Sequence, residues 1–124
     1  MKIAIDARFY RTTTGGIGRY TRALLKELSL IDKKNQYTIY ITPEDDLEYD
    51  INSNNFHKKI IDIKHYTFSE QVNFLNILNK EKFDLVHFTN FNHPIFYKGK
   101  FVITIHDLTL MLFPEINHGS IIKK

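Results

Sequence analysis

Residues 2–31 read KIAIDARFYRTTTGGIGRYTRALLKELSLI, and this stretch decides the fold. It opens with Lys2–Asp6, a short apolar run that reads as a buried strand. Ala7 to Gly15 follows as a polar loop. From Gly16 the spacing becomes helical: Ile17, Tyr20, Leu24, Leu25, Leu28 and Ile31 share one stripe, while Arg19, Arg22 and Lys26 lie on another face. Strand, loop and amphipathic helix in that order begin an alternating α/β chain.

The alternation continues outward. Gln36–Ile41 (QYTIYI) is β-rich and is stopped by Pro43. Thr42 to His57 is acidic and Asn-rich, which suits an exposed loop, and Lys59–Ile63 reads as a third strand. Thr67-Phe-Ser-Glu70 matches a capping box and opens a helix running to about Lys82. Val72, Leu75 and Leu78 form its apolar stripe, widened by Phe74 and Ile77. Asp84–Thr89 (DLVHFT) and Phe101–His106 (FVITIH) are near-continuous apolar strands. Strands apolar on both faces imply a mostly parallel sheet covered by helices on each side. The fold class is therefore α/β: a doubly wound, Rossmann-like sheet, most simply ordered 3-2-1-4-5. Phe101–His106 has an interior strand's composition yet is the last strand available, and only two long helices serve two faces. The expectation is an incomplete fold, with an edge strand open to pairing.

Composition narrows the function classes. The chain has 124 residues, room for one compact domain. With no cysteine, disulfides and thiolate metal sites are excluded and a reducing compartment is expected. Residues 1–15 carry no long apolar run, which argues against a secretory signal. No stretch approaches the roughly 20 apolar residues of a membrane-spanning helix. The expected location is the cytoplasm. The net charge is only +3, but all four arginines (Arg8, Arg11, Arg19, Arg22) fall near the start, where guanidinium forks suit phosphate or carboxylate. A solvated helix face explains that clustering equally well. Without a long basic run or a recognisable reading module, nucleic acid is not an expected partner.

In an open parallel sheet, ligands bind beyond the carboxyl ends of the strands. Three segments must lie there: Asp6 to Gly18, Thr89 to Pro94, and His106-Asp107. Gly15-Gly16-Ile17-Gly18 opens the first helix, whose amides and dipole favour an anion. It is neither a dinucleotide fingerprint nor a P-loop, and a flexible helix start is the plainer reading of the glycines alone. His106 and Asp107 form a polar pair at a strand's end. His87, inside an apolar strand, reads as a satisfied core histidine. The histidines lack metal-ligand spacing, so no metal is expected. Glu44-Asp45-Asp46 reads as a solvated acidic turn.

These segments together carry a resemblance. K-I-A-I-D-A-R, G-G-I-G-R-Y-T-R-x-L-L, D-L-V-H-F-x-N and T-I-H-D-L-x-x-x-x-F-P fall in order along nearly the whole chain. The series resembles the N-terminal domain of family 4 retaining glycosyltransferases. The resemblance implies a GT-B enzyme of two Rossmann-like domains, of which residues 1–124 would be the truncated acceptor-side domain. The donor-binding C-terminal domain would be absent, so the chain alone is expected to be inactive. It further implies hexosyl transfer, with retention, from a nucleotide-sugar to a hydroxyl acceptor such as a glycan or lipid-linked glycan. Gly15, Gly16 and Gly18 with Arg19 would approach the donor phosphates. His106 would lie beside the transferred sugar, Asp107 would position it, and Asn90 would line the acceptor side. No cofactor or metal is implied. A C-terminal domain on another chain and peripheral contact with the inner face of the membrane are compatible with this reading. The rival readings are a non-catalytic acceptor- or protein-binding module and an unrelated Rossmann-like nucleotide binder.

Overall fold

The structure, a computed structural model, describes residues 1–106. Its elements are β1 (Lys2–Asp6), α1 (Gly16–Ile31), β2 (Gln36–Ile41), α2 (Pro43–Asp46), β3 (Phe56–Ile60), a π-helical segment (Glu70–Phe74) continuing as α3 (Leu75–Glu81), β4 (Leu85–Phe88) and β5 (Phe101–Ile103). The five strands form one sheet ordered β3-β2-β1-β4-β5, and every pairing is parallel. The fold is the Rossmann-like α/β sheet that the strand composition requires.

Alternate residues of a strand face opposite sides of the sheet, and two cores result. Ile3 and Ile5 of β1, with Tyr37, Ile39 and Ile41 of β2, pack against Leu25 and Leu28 of α1. Ala4, Tyr40, Val86 and Phe88 pack on the other face against Phe74 and Leu78. Each fully buried Leu or Phe contributes about 1.5–3 kcal/mol. Truncating Phe74, completely buried, to Ala would cost about 3–5 kcal/mol.

Several elements depart from the sequence reading. The apolar stripe of α1 ends at Leu28, and Ile31 is 76% exposed. A helix of 16 residues spans about 24 Å, whereas the five-residue strand beside it spans about 17 Å, so the last turn overhangs the sheet. The third strand is Phe56–Ile60, earlier than Lys59–Ile63. Phe56 stacks on Tyr37, and Ile61 and Ile63 leave the sheet to pack beneath α3. Residues 42–57 are not simply a solvated loop. Thr42 caps α2 by accepting from the Asp45 amide, and Asp45 is fully buried. Tyr49 and Ile51 pack against the first core.

The capping box forms with a shift. Thr67 Oγ1 accepts from the Glu70 amide, while Glu70 Oε2 accepts from the amide of Tyr66 rather than that of Thr67. The π-helical segment re-phases the expected stripe: Glu70, Phe74 and Leu78 face inward, and Val72 is exposed. As a result a carboxylate enters the protein interior. β5 is shorter than Phe101–His106, and among the described residues it is an edge with Phe101, Val102 and Ile103 exposed. No helix among these residues is long and apolar enough to cross a membrane.

Candidate functional site

Strand order reverses between β1 and β4, and the carboxyl ends of these strands are tied together. The Thr89 hydroxyl donates to the Asp6 carbonyl at 2.6 Å. The Thr89 carbonyl accepts from His106 Nε2 at 2.5 Å. A carbonyl can only accept, so Nε2 carries the hydrogen and Nδ1 keeps its lone pair in the neutral ring. The ring of Tyr20, one turn into α1, meets the His106 ring at a steep angle with centroids 4.9 Å apart. The start of α1, the loop after β4 and His106 therefore share one place, as the sequence requires. Asp107 lies outside the described residues.

Tyr20 is itself anchored. Its hydroxyl lies 3.0 Å from Thr104 Oγ1, which is 2.8 Å from His87 Nε2. His87 is thus a satisfied histidine, though half-buried. Desolvation holds its pKa below the usual histidine value, against the pull of Asp6.

The glycines of the α1 start divide by role. Gly15, the N-cap, has φ +71° and supplies no side-chain cap, which leaves the first-turn amides to other partners. Gly16 is exposed, and a Cβ there would meet open space. Gly18 is buried: a Cβ would fall 2.2 Å from the Arg11 carbonyl oxygen and 2.3 Å from Thr14 Oγ1. Gly18 therefore lets α1 approach the loop after β1. Arg19 is exposed, and among the described residues its side chain has no ion pair or hydrogen bond.

The other arginines do not join an anion cluster. Arg11 Nε pairs with Asp45 at 3.0 Å, and Arg22 with Glu48 at 3.4 Å. Arg8 is entirely buried, donating from Nε and Nη2 to Asp6 at 2.8 Å each and from Nη2 to Glu70 at 2.6 Å. Burial pushes the Arg8 pKa down, but the two carboxylates outweigh it and raise it. For Asp6, burial works upward and the guanidinium more than cancels it, so the net shift is downward. Asp6 next door and the distant Asp45, Glu48 and Glu70 thus consume the charge of three of the four arginines.

The same network reaches Asn90, which is 5% exposed. Asn92 donates to Glu70 Oε1 at 2.8 Å and to His65 Nδ1 at 3.0 Å. Asn90 donates to Asn92 Oδ1 at 2.6 Å and to the Tyr66 hydroxyl at 3.4 Å. His65 stacks on Phe9, and desolvation, helped by the Arg8 charge, lowers its pKa. Sequence reading placed Asp6, Arg8, Tyr20, Thr89 and Asn92 in or beside the segments at the strand ends without assigning them these contacts, took Arg8 for an anion ligand, and read Glu70 only as a cap. The signals present were an acidic-x-basic triplet leaving a strand and the capping-box glutamate, each with an ordinary local explanation.

Among the described residues no group of three or more His, Asp or Glu could hold a metal. Two surface hollows lie at the opposite end of the sheet, one around Lys33, Gln36 and Asn54 and the other around Met1, Phe83 and Lys100. They are open depressions far from the switch point, where ligands of such sheets bind. Comparison with protein-family models, with curated proteins and with solved structures finds no match for this chain.

Proposed function

We propose that this chain is the acceptor-side domain of a retaining, family 4-type glycosyltransferase. It would move a hexose from a nucleoside-diphosphate sugar to a hydroxyl acceptor, with the donor gripped by a second domain. The observation that carries the reading is the meeting of His106, Tyr20 at the start of α1, and the Thr89–Asn90 loop at the switch point. Such transfer needs positioned reactants and stabilised charge on the leaving phosphate and the oxocarbenium-like sugar, rather than a covalent protein intermediate. The amides of the α1 start, which carry no side-chain cap, with Arg19 beside them, suit the phosphate. His106, held through Nε2, turns its other nitrogen and ring face to the sugar. Asn90 suits the acceptor side. The reaction would take place in the cytoplasm, with lipid-linked acceptors met at the inner face of the membrane.

The test is release of nucleoside diphosphate from a panel of nucleotide-sugars by the chain joined to a donor-binding second domain. Acceptor-dependent release that collapses in His106→Ala is the expected result, and the 124-residue chain alone should be silent. Release indifferent to His106→Ala would refute the reading. A non-catalytic binding module is the second reading, favoured by the exposed Phe68, Ile95 and Phe96, at 83%, 68% and 69% exposure. It predicts no turnover under any of these conditions.

A further inference from the structure

The buried polar network behind Asn90 runs in a single direction. Asp6 and Glu70 are carboxylates, which accept hydrogen bonds and donate none. Arg8 Nη2 donates to both, at 2.8 Å to Asp6 Oδ2 and 2.6 Å to Glu70 Oε1. The same Glu70 oxygen faces the Asn92 amide at 2.8 Å, so the group presented to it is NH2. The orientation of an asparagine amide is ordinarily ambiguous, but an acceptor-only neighbour settles it. Asn92 must then turn Oδ1 towards Asn90, 2.6 Å away. An oxygen there requires a donor, so Asn90 presents its own NH2, whose second hydrogen points to the Tyr66 hydroxyl. Asn90 is left with Oδ1 as its outward group. That oxygen has no protein partner among the described residues and is not sealed from solvent, although the side chain is almost wholly buried.

We infer that Asn90 Oδ1 is a fixed binding point for a hydroxyl hydrogen of a polyhydroxylated ligand, its polarity set by the Arg8–Glu70–Asn92 relay. The identification of that ligand as the acceptor sugar rests on the glycosyl-transfer reading; the polarity does not. An anion is excluded on two grounds. It would turn lone pairs against a lone pair, and two carboxylates share one guanidinium behind Asn90, so the cluster is net negative. The switch point is thus divided, with anion binding at the α1 start and hydroxyl binding at Asn90. Glu70 and Asn92 act as positioning residues.

The experiment titrates the isotope-labelled 124-residue chain with methyl α-glucoside, its permethylated analogue and inorganic phosphate, reading the side-chain amide signals of Asn90 and Asn92 by NMR. The permethylated sugar keeps every oxygen but has no hydroxyl hydrogen. Methyl α-glucoside is expected to move both signals saturably, while the other two probes leave them in place. Asn90→Leu should weaken the glucoside affinity about tenfold, the scale of one lost hydrogen bond. The comparison of the two sugars on the unaltered chain stands even if that variant folds poorly. Equal movement with the permethylated sugar, movement with phosphate, or stillness with methyl α-glucoside overturns the assignment. If the glucoside moves Asn90 while no nucleotide-sugar is ever turned over, the glycosyl-transfer reading falls and this site stands.

Discussion

Replacing Arg8 by methionine keeps most of the side-chain bulk and its stacking on Phe74, whose ring lies 4.5 Å from the guanidinium carbon. It removes three donated bonds to Asp6 and Glu70 and a fourth, at 3.3 Å, to the Ile63 carbonyl. Two carboxylates at 3% and 1% exposure then face each other without a cation. Breaking a buried ion pair from one side costs about 3–5 kcal/mol. A domain of this size has about 5–15 kcal/mol to lose, so Arg8→Met should be marginal at neutral pH. The sign of its pH response is the sharper test. In the wild type Asp6 has a depressed pKa. Its contribution is present above the unfolded value of about 3.9 and is lost as pH falls through the folded one. In Arg8→Met the guanidinium's pull is gone, and desolvation, the largest influence on Asp6, is opposed only by the residue 8 amide and His65, so the folded pKa is expected to rise above the unfolded value. The folded state then binds more protons, so the variant should gain stability between about pH 7 and about pH 5. Urea unfolding followed by circular dichroism at those two values measures both effects. A loss below about 1 kcal/mol at neutral pH, or a variant that weakens on acidification, would refute the buried-triad account.

Gly18→Ala should cost about 1–3 kcal/mol, because its Cβ meets backbone oxygen, whereas Gly16→Ala should stay within about 0.5 kcal/mol; thermal melts that rank them oppositely would reject the close-approach argument. In a chain completed by a donor-binding domain, Gly16→Val should lower turnover about a hundredfold with an unchanged melt, and the Thr13→Val control should be mild. Equal small losses would reduce the glycines to chain geometry. The chain should self-associate through β5, an exposed edge among the described residues, and Val102→Lys should suppress this in sedimentation; a sharp wild-type monomer would disprove it. His87 should titrate below 6.5 by NMR. The folded state then binds fewer protons than the unfolded one, so His87 makes stability rise with pH up to about the unfolded value, and a midpoint above 6.5 would contradict its burial.

Sheet class, strand order and the covering of both faces were legible in the amino-acid sequence. Runs such as Lys2–Asp6 and Asp84–Thr89 are apolar on both parities, and only a parallel sheet between helices buries both. The places of Gly15, Gly16, Asn90 and His106 followed from that topology, because every carboxyl end of a parallel sheet points the same way. Element boundaries were less legible. β3 begins at Phe56 because its cross-strand partner is Tyr37, and no local pattern encodes a partner. Tertiary structure alone decided which charges are spent. Arg8 reads in sequence like Arg19, yet one is buried between Asp6 and Glu70, while the other is exposed at the helix start. Glu70 reads as a capping residue and caps a helix, but a π-helical turn aims its carboxylate at Arg8. Periodicity records which face of an element is apolar. It carries no record of which polar groups, many residues apart, will meet once those faces are buried.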